Sequence, residues 1–147
     1  MWVTKAFQDL TLEELYEIYR VRSAVFVEEQ QIVYADPDEN DKQALHLFEI
    51  HDGVIIAYAR IFEDGDHVTF GRVLTTSSVR GTGKGKELLQ HILDVVKNKF
   101  DGVEIKIDAQ AHAVGYYEKG GFTVTSEPFI EAGIYHIKMT YPEQKNS

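Results

Sequence analysis

SSVRGTGKGKELLQHIL, residues 77–93, sets three glycines (Gly81, Gly83, Gly85) and three cations (Arg80, Lys84, Lys86) directly before an amphipathic run. Glycines let a backbone approach a ligand closely, consecutive amides point outward, and a helix N-terminus adds roughly half a positive charge. The stretch can therefore seat an anion. It is neither of two familiar nucleotide loops. Counted from Gly81, the sixth position of G-x-G-x-x-G is Lys86, and the spacing and final hydroxyl of G-x-x-x-x-G-K-[ST] are both missing. Spacing alone leaves the ligand open.

Charge sharpens the point. The chain of 147 residues carries a formal charge of −9, which argues against nucleic-acid binding through phosphate neutralisation. Yet 67–86 contains no Asp or Glu and holds Arg72, Arg80, Lys84 and Lys86, whereas 28–41 holds six acids and no Lys or Arg. An anionic ligand is expected at the first segment and a cationic one, or plain solvent, at the second. The length fits one domain, 1–147, with 142–147 expected as a disordered tail. No apolar run approaches the roughly 20 residues that cross a bilayer, no export signal is visible and there is no cysteine, so a cytoplasmic protein with no membrane partner is expected.

The elements can be read outward from the loop. Leu88, Leu89, Ile92, Leu93, Val96 and Phe100 follow the spacing of a buried helical face. Upstream, three strands over 44–51, 54–62 and 67–76 are joined at Asp52-Gly53 and Asp64-Gly65, pairs that suit hairpin turns. A short strand over 2–7 precedes a helix from the capping box Thr11-Leu-Glu-Glu14 to about Val27, with Leu12, Leu15, Tyr19, Arg22 and Phe26 on one stripe. The segment 30–41 reads as loop. Downstream come a strand over 103–109, a short helix over 111–120, and strands over 122–126 and 134–141. This order is mixed α/β rather than alternating, which disfavours a Rossmann fold.

Arg80-Gly81-Thr82-Gly83-Lys84-Gly85 matches the R/Q-x-x-G-x-G/A signature, and Tyr117-Glu118-Lys119-Gly120-Gly121-Phe122 the Y-x-x-x-G-F segment, of the GNAT N-acetyltransferases. VFVEEQ (25–30), YADPDEND (34–41), AYARI (57–61), GRV (71–73), AQAH (109–112) and GIYHIKM (133–139) resemble the ElaA-type branch. The resemblance implies an acyl-CoA N-acyltransferase fold, a mostly antiparallel mixed sheet with one splayed parallel pair flanked by helices. It implies acetyl-CoA as cofactor, its pyrophosphate held by Arg80, Gly81, Thr82, Gly83, Lys84, Gly85 and Lys86, its pantetheine by the edge of Val73, Leu74 and Thr75, with Gln110 and Tyr117 nearby. The acceptor implied is a primary amine of a small molecule or peptide, and the acidic segment suggests a cationic one. A homodimer is compatible with this.

The resemblance places Tyr117 as the acid that protonates the departing thiolate and offers Glu29, His112 and His136, in that order, as general base. Each has a structural alternative: a core aromatic, a loop-orienting carboxylate, a buried histidine bonded to a carbonyl. His46 is expected to be a satisfied core residue. Two further functions stay open, a noncatalytic CoA-binding sensor and acyl transfer like that of the acyl-homoserine-lactone synthases. No metal is expected: Asp36 to Leu47 lacks the glycine and glutamate of a calcium loop, His46 to His51 lacks H-E-x-x-H spacing, and no G-x-S-x-G elbow exists.

Overall fold

The computed structural model describes residues 1–32 and 36–144. The elements are β1 (Trp2–Ala6), α1 (Leu12–Arg22), a wide helical turn (Ser23–Glu29), α2 (Asn40–Gln43), β2 (Leu45–His51), β3 (Val54–Asp64), β4 (His67–Thr75), α3 (Lys84–Lys99), β5 (Ile105–Gln110), α4 (Val114–Lys119), β6 (Thr123–Val124), β7 (Phe129–Glu131) and β8 (Ile134–Tyr141). The sheet runs β1-β2-β3-β4-β5-β8-β6, and β7 also pairs with β8. Every pairing is antiparallel except β4 with β5, which touch in register only at Val68–Ile105. The mixed sheet with one splayed parallel pair is thus present.

Alternation along the strands gives the sheet two apolar faces. On one, Leu88, Leu89, Ile92 and Val96 of α3 pack on Ala57, Ala59, Ile61, Val68, Ile105, Ile107 and Met139, all buried. On the other, Ile18 and Val21 of α1, with Val25 and Phe26 of the wide turn, cover Phe48, Tyr58 and Leu74. Removing a fully buried chain such as Ile92 would cost about 2–5 kcal/mol.

Several local expectations need correction. The α-helical turn stops at Arg22, and residues 23–29 widen to π geometry instead of continuing to Val27. The buried stripe is Ile18, Val21, Arg22, Val25 and Phe26, while Leu12 is 86% exposed. Of the expected stripe only Arg22 and Phe26 are buried, because the face that is covered is set by where the helix crosses the sheet. The capping box is real: Glu14 N donates to Thr11 Oγ1 at 3.0 Å and Thr11 N to Glu14 Oε1 at 2.8 Å. Asn40 and Asp41, the end of the segment read as loop, begin the helical turn α2 that runs to Gln43. The strand read over 122–126 shrinks to Thr123–Val124, and β7 was not anticipated. β7 exists because Ala132 and Gly133, both at positive φ (51° and 77°), form a two-residue turn that folds Glu131 onto Ile134. Gln144 N donates to Gly102 O, so 142–144 lies against the body, and the rest of the expected tail falls outside the described residues.

Candidate active site

Where β4 and β5 part beyond Val68–Ile105, a cleft of about 850 Å³ opens between them. Val73, Leu74, Thr75, Gly85, Gln110, His112, Tyr117 and His136 all line it. The edge of β4 is irregular here. Arg60 faces Gly71 and Tyr58 faces Leu74, so Arg72 and Val73 both oppose Ala59 in a bulge, with Arg72 at a φ of +52°. Thr76 N donates to Ile56 O at 2.9 Å, and alternation therefore turns the polar backbone of Thr75 the opposite way, toward the cleft. Arg80 confirms that direction: its Nε and Nη2 reach the Thr75 carbonyl at 3.1 and 2.9 Å.

The glycine loop stands at the end of the cleft. Gly81 and Gly83 adopt φ of +81° and +85°, and a Cβ built on either meets nothing within 4 Å. Open space above left-handed glycines, at the start of a 16-residue helix, fits an anionic group approaching the backbone closely. Two of the three cations face elsewhere. Arg80 pairs with Glu29, and Lys84 pairs with Glu87 at 3.0 Å and with Glu49, lying over the Trp2 ring. Lys86 is exposed. Backbone amides and the helix terminus are left as the main attraction for a phosphate.

Tyr117 is 7% exposed and packs against Phe70, Tyr116 and Phe122. Among the described residues its hydroxyl has no hydrogen-bond partner. Burial, and then the neighbouring Tyr116, push its phenol well above the usual value, so it stays protonated at neutral pH. Tyr116 donates to the Gly85 carbonyl and ties α4 to the first turn of α3, and burial pushes its phenol up to about 12.

The three base candidates are not equivalent. Glu29 is bound by Arg80 and does not line the cleft. His112 lines it but is exposed. His136 is 8% exposed, lies beside Phe129, and has Nδ1 2.8 Å from the Ile134 carbonyl. In the neutral ring Nδ1 therefore donates, and the Nε2 lone pair is available, 3.9 Å from Glu131 Oε2. Gln110 Nε2 donates to Gln30 Oε1 at 3.2 Å, linking β5 to the wide turn.

One group was not foreseen. Arg22, fully buried, donates to Asp36 at 2.9 Å and Asp41 at 2.7 Å; Arg60 donates to Asp38 at 2.6 Å and Asp41 at 3.0 Å; Arg72 donates to Asp36 at 3.0 Å. Asp36, Asp38 and Asp41 are thus matched by arginines from α1, β3 and β4 and are already committed, whereas exposed Glu39 pairs with Lys42 at 3.2 Å. Burial opposes charge on Asp41, yet the hydrogen bond and charge of Arg22 hold its carboxyl below the usual range. His46 is satisfied as expected, its Nε2 facing the Asp41 carbonyl at 2.8 Å and Nδ1 the Tyr58 hydroxyl at 2.6 Å. The available signal was Arg22 and Arg60 standing inside otherwise apolar stretches. Among the described residues there is no cluster of three or more groups suited to a metal, and no helix is long and apolar enough to cross a membrane.

A splayed parallel pair beside a bulged strand and a glycine loop defines the acyl-CoA N-acyltransferase fold, and the comparisons agree. The family model described as an acetyltransferase (GNAT) domain matches residues 8–142. The chain is 32% identical over 143 residues to Protein ElaA of Escherichia coli, covering 94% of each. It superposes on the crystal structure of Escherichia coli ElaA with a TM-score of 0.91 at 30% identity, over 96% of this chain and 99% of that one. An acyl-CoA N-acyltransferase from Pseudomonas aeruginosa gives a TM-score of 0.89 at 34% identity, with the same coverage. The chain belongs to the GNAT acetyltransferase family. Within it, the chain sits in the ElaA-like branch.

Proposed function

We propose that the protein transfers an acetyl group from acetyl-CoA to a primary amine by direct attack within one ternary complex. The observation that carries this reading is the parting of β4 and β5 after a single register pair, which leaves the Thr75 backbone edge facing a cleft that ends at the glycine loop and contains Tyr117. Gly81 to Gly85 hold the pyrophosphate through backbone amides, and the thioester lies along Val73–Thr75. Holding both reactants in one slot supplies most of the acceleration.

In this mechanism the neutral amine attacks the thioester carbonyl carbon, the C–N bond forms, and the C–S bond then breaks. One proton leaves nitrogen and one is gained by sulfur, so amide and free thiol result. His136 Nε2 accepts the proton from nitrogen, because Nδ1 is already committed to Ile134. A phenol held above its usual value is a weaker acid than a thiol of pKa about 8.5. Tyr117 therefore donates a hydrogen bond to the developing thiolate and assists its departure while keeping its own proton, and the released thiolate takes the proton that completes the thiol from solvent. The acceptor is cationic in this reading, met by Asp64 and Glu131, which line the cleft and lie outside the arginine network, whereas Asp108, also in the lining, is paired with Lys138 at 3.1 Å.

Mixing the protein with acetyl-CoA and a panel of amines and following free thiol tests the proposal. Amine-dependent release above hydrolysis is expected. CoA binding with no release for any amine would point instead to a noncatalytic sensor.

A further inference from the structure

The cleft wall divides by chemistry. One part is polar and carries Asp38, Arg60, Asp64, Asp108, Glu131 and His136. The apolar lining comes from two packed clusters: Phe70, Leu88, Ile107, Ala109 and Tyr117 belong to one, and Phe26, Ile32 and Leu74, which are 5%, 6% and 3% exposed, form a patch belonging to the other. Leu74 is also part of the β4 segment that faces the thioester in the reading above.

Phe26 and Ile32 reach this place by an unusual local path. A seven-residue π turn is rare, and such turns concentrate at functional sites because they re-aim side chains at some cost in hydrogen-bond geometry. Here Gln30 N donates to Val25 O and Ile32 N to Phe26 O, both at 3.0 Å, so the Phe26 carbonyl itself fixes Ile32. Gln30 is also tied to Gln110 at the end of β5. The patch is held from both sides of the cleft.

We infer that Phe26 and Ile32 set the length of the acyl chain the protein accepts, limiting it to acetyl or a group close to that size. The inference rests on the acyl-transfer reading. An apolar acyl tail leaving the carbonyl carbon takes the apolar patch, and the amine takes the polar wall. A methyl group fits against the patch, whereas each added methylene must displace a side chain already packed in the core, where little can yield.

The test measures kcat/KM with acetyl-, propionyl-, butyryl- and hexanoyl-CoA for the wild type, Phe26→Leu and Ile32→Ala. In the wild type the value should fall by about tenfold or more for each added methylene. In either variant the fall should flatten, with butyryl transfer rising by about tenfold relative to acetyl. Folded variants that transfer acetyl and keep the wild-type length profile would overturn the inference. Should Phe26→Leu fail to fold, Ile32→Ala and Ile32→Val carry the comparison. Absence of transfer by the wild type with any thioester would instead sink the acyl-transfer reading. Calorimetric binding of the same thioesters then decides the length question: affinity that falls with chain length and recovers in the variants supports it, and an equal affinity across the series contradicts it.

Discussion

Arg80 grips Glu29 with both prongs, Nη1 to Oε2 at 2.7 Å and Nη2 to Oε1 at 3.2 Å, while the same guanidinium caps the Thr75 carbonyl. The most acidic candidate for a general base is thereby tied to the most conspicuous cation of the glycine loop. Neither side chain lines the cleft itself.

Exchanging the two base candidates should therefore have unequal effects. Glu29→Gln is expected to keep kcat within about threefold of wild type, whereas His136→Gln should lower it about 100-fold or more, the usual worth of a positioned base. Steady-state thiol release distinguishes them, and the reverse order would return Glu29 to the mechanism.

Tyr117→Phe should reduce kcat by about tenfold to 100-fold and leave CoA affinity nearly unchanged, because the hydroxyl acts only on the developing thiolate. The Phe side chain keeps the contacts with Phe70 and Phe122. An unaltered rate would leave Tyr117 as a packing residue.

Gly83→Glu should abolish CoA binding by calorimetry. The φ of +85° penalises any side chain, and a carboxylate would occupy the open space above the loop that suits a phosphate. Retained affinity would move the phosphate seat elsewhere.

Asp41→Ala should destabilise the fold by about 3–5 kcal/mol in urea denaturation, since it strands Arg22 and part of Arg60 in the interior. A loss below about 1 kcal/mol would show that Asp36 and Asp38 alone satisfy both arginines.

Stability should fall as the solution is acidified. Burial, first of all, depresses the His46 pKa from 6.5, so the unfolded chain takes up a proton on His46 that the folded one resists. The contribution is present above pH 6.5 and is lost as pH falls toward the folded value. Asp38 and Asp41 are also depressed, from 3.8, as Arg60 and Arg22 respectively outweigh the cost of burial, and they add a second loss below that pH. Urea midpoints across this range should decline monotonically, and His46→Gln should flatten the upper part. A midpoint that rises on acidification would contradict the assignment.

What the chain discloses by itself follows from which residues act locally. The α3 face, the hairpin glycines and the Thr11–Glu14 box are short-range, and the structure keeps them all. The arginine network could not be read that way. Arg22, Asp36, Asp41, Arg60 and Arg72 come from separate elements, and only the crossing of α1 over the sheet brings them together. The π turn has no spacing signature, so the helix read to Val27 missed the widening that delivers Phe26 and Ile32 to the cleft. The pairing of Glu29 with Arg80 was hidden for the same reason, as the two lie 51 residues apart in the chain.

The structure of a complex with CoA tests the central claim most directly. The account predicts the pyrophosphate over the amides of Gly81 to Gly85, pantetheine along the Thr75 edge of β4, and the sulfur in the cleft beside Tyr117. CoA bound away from the parting of β4 and β5, or with its sulfur remote from Tyr117, would contradict it.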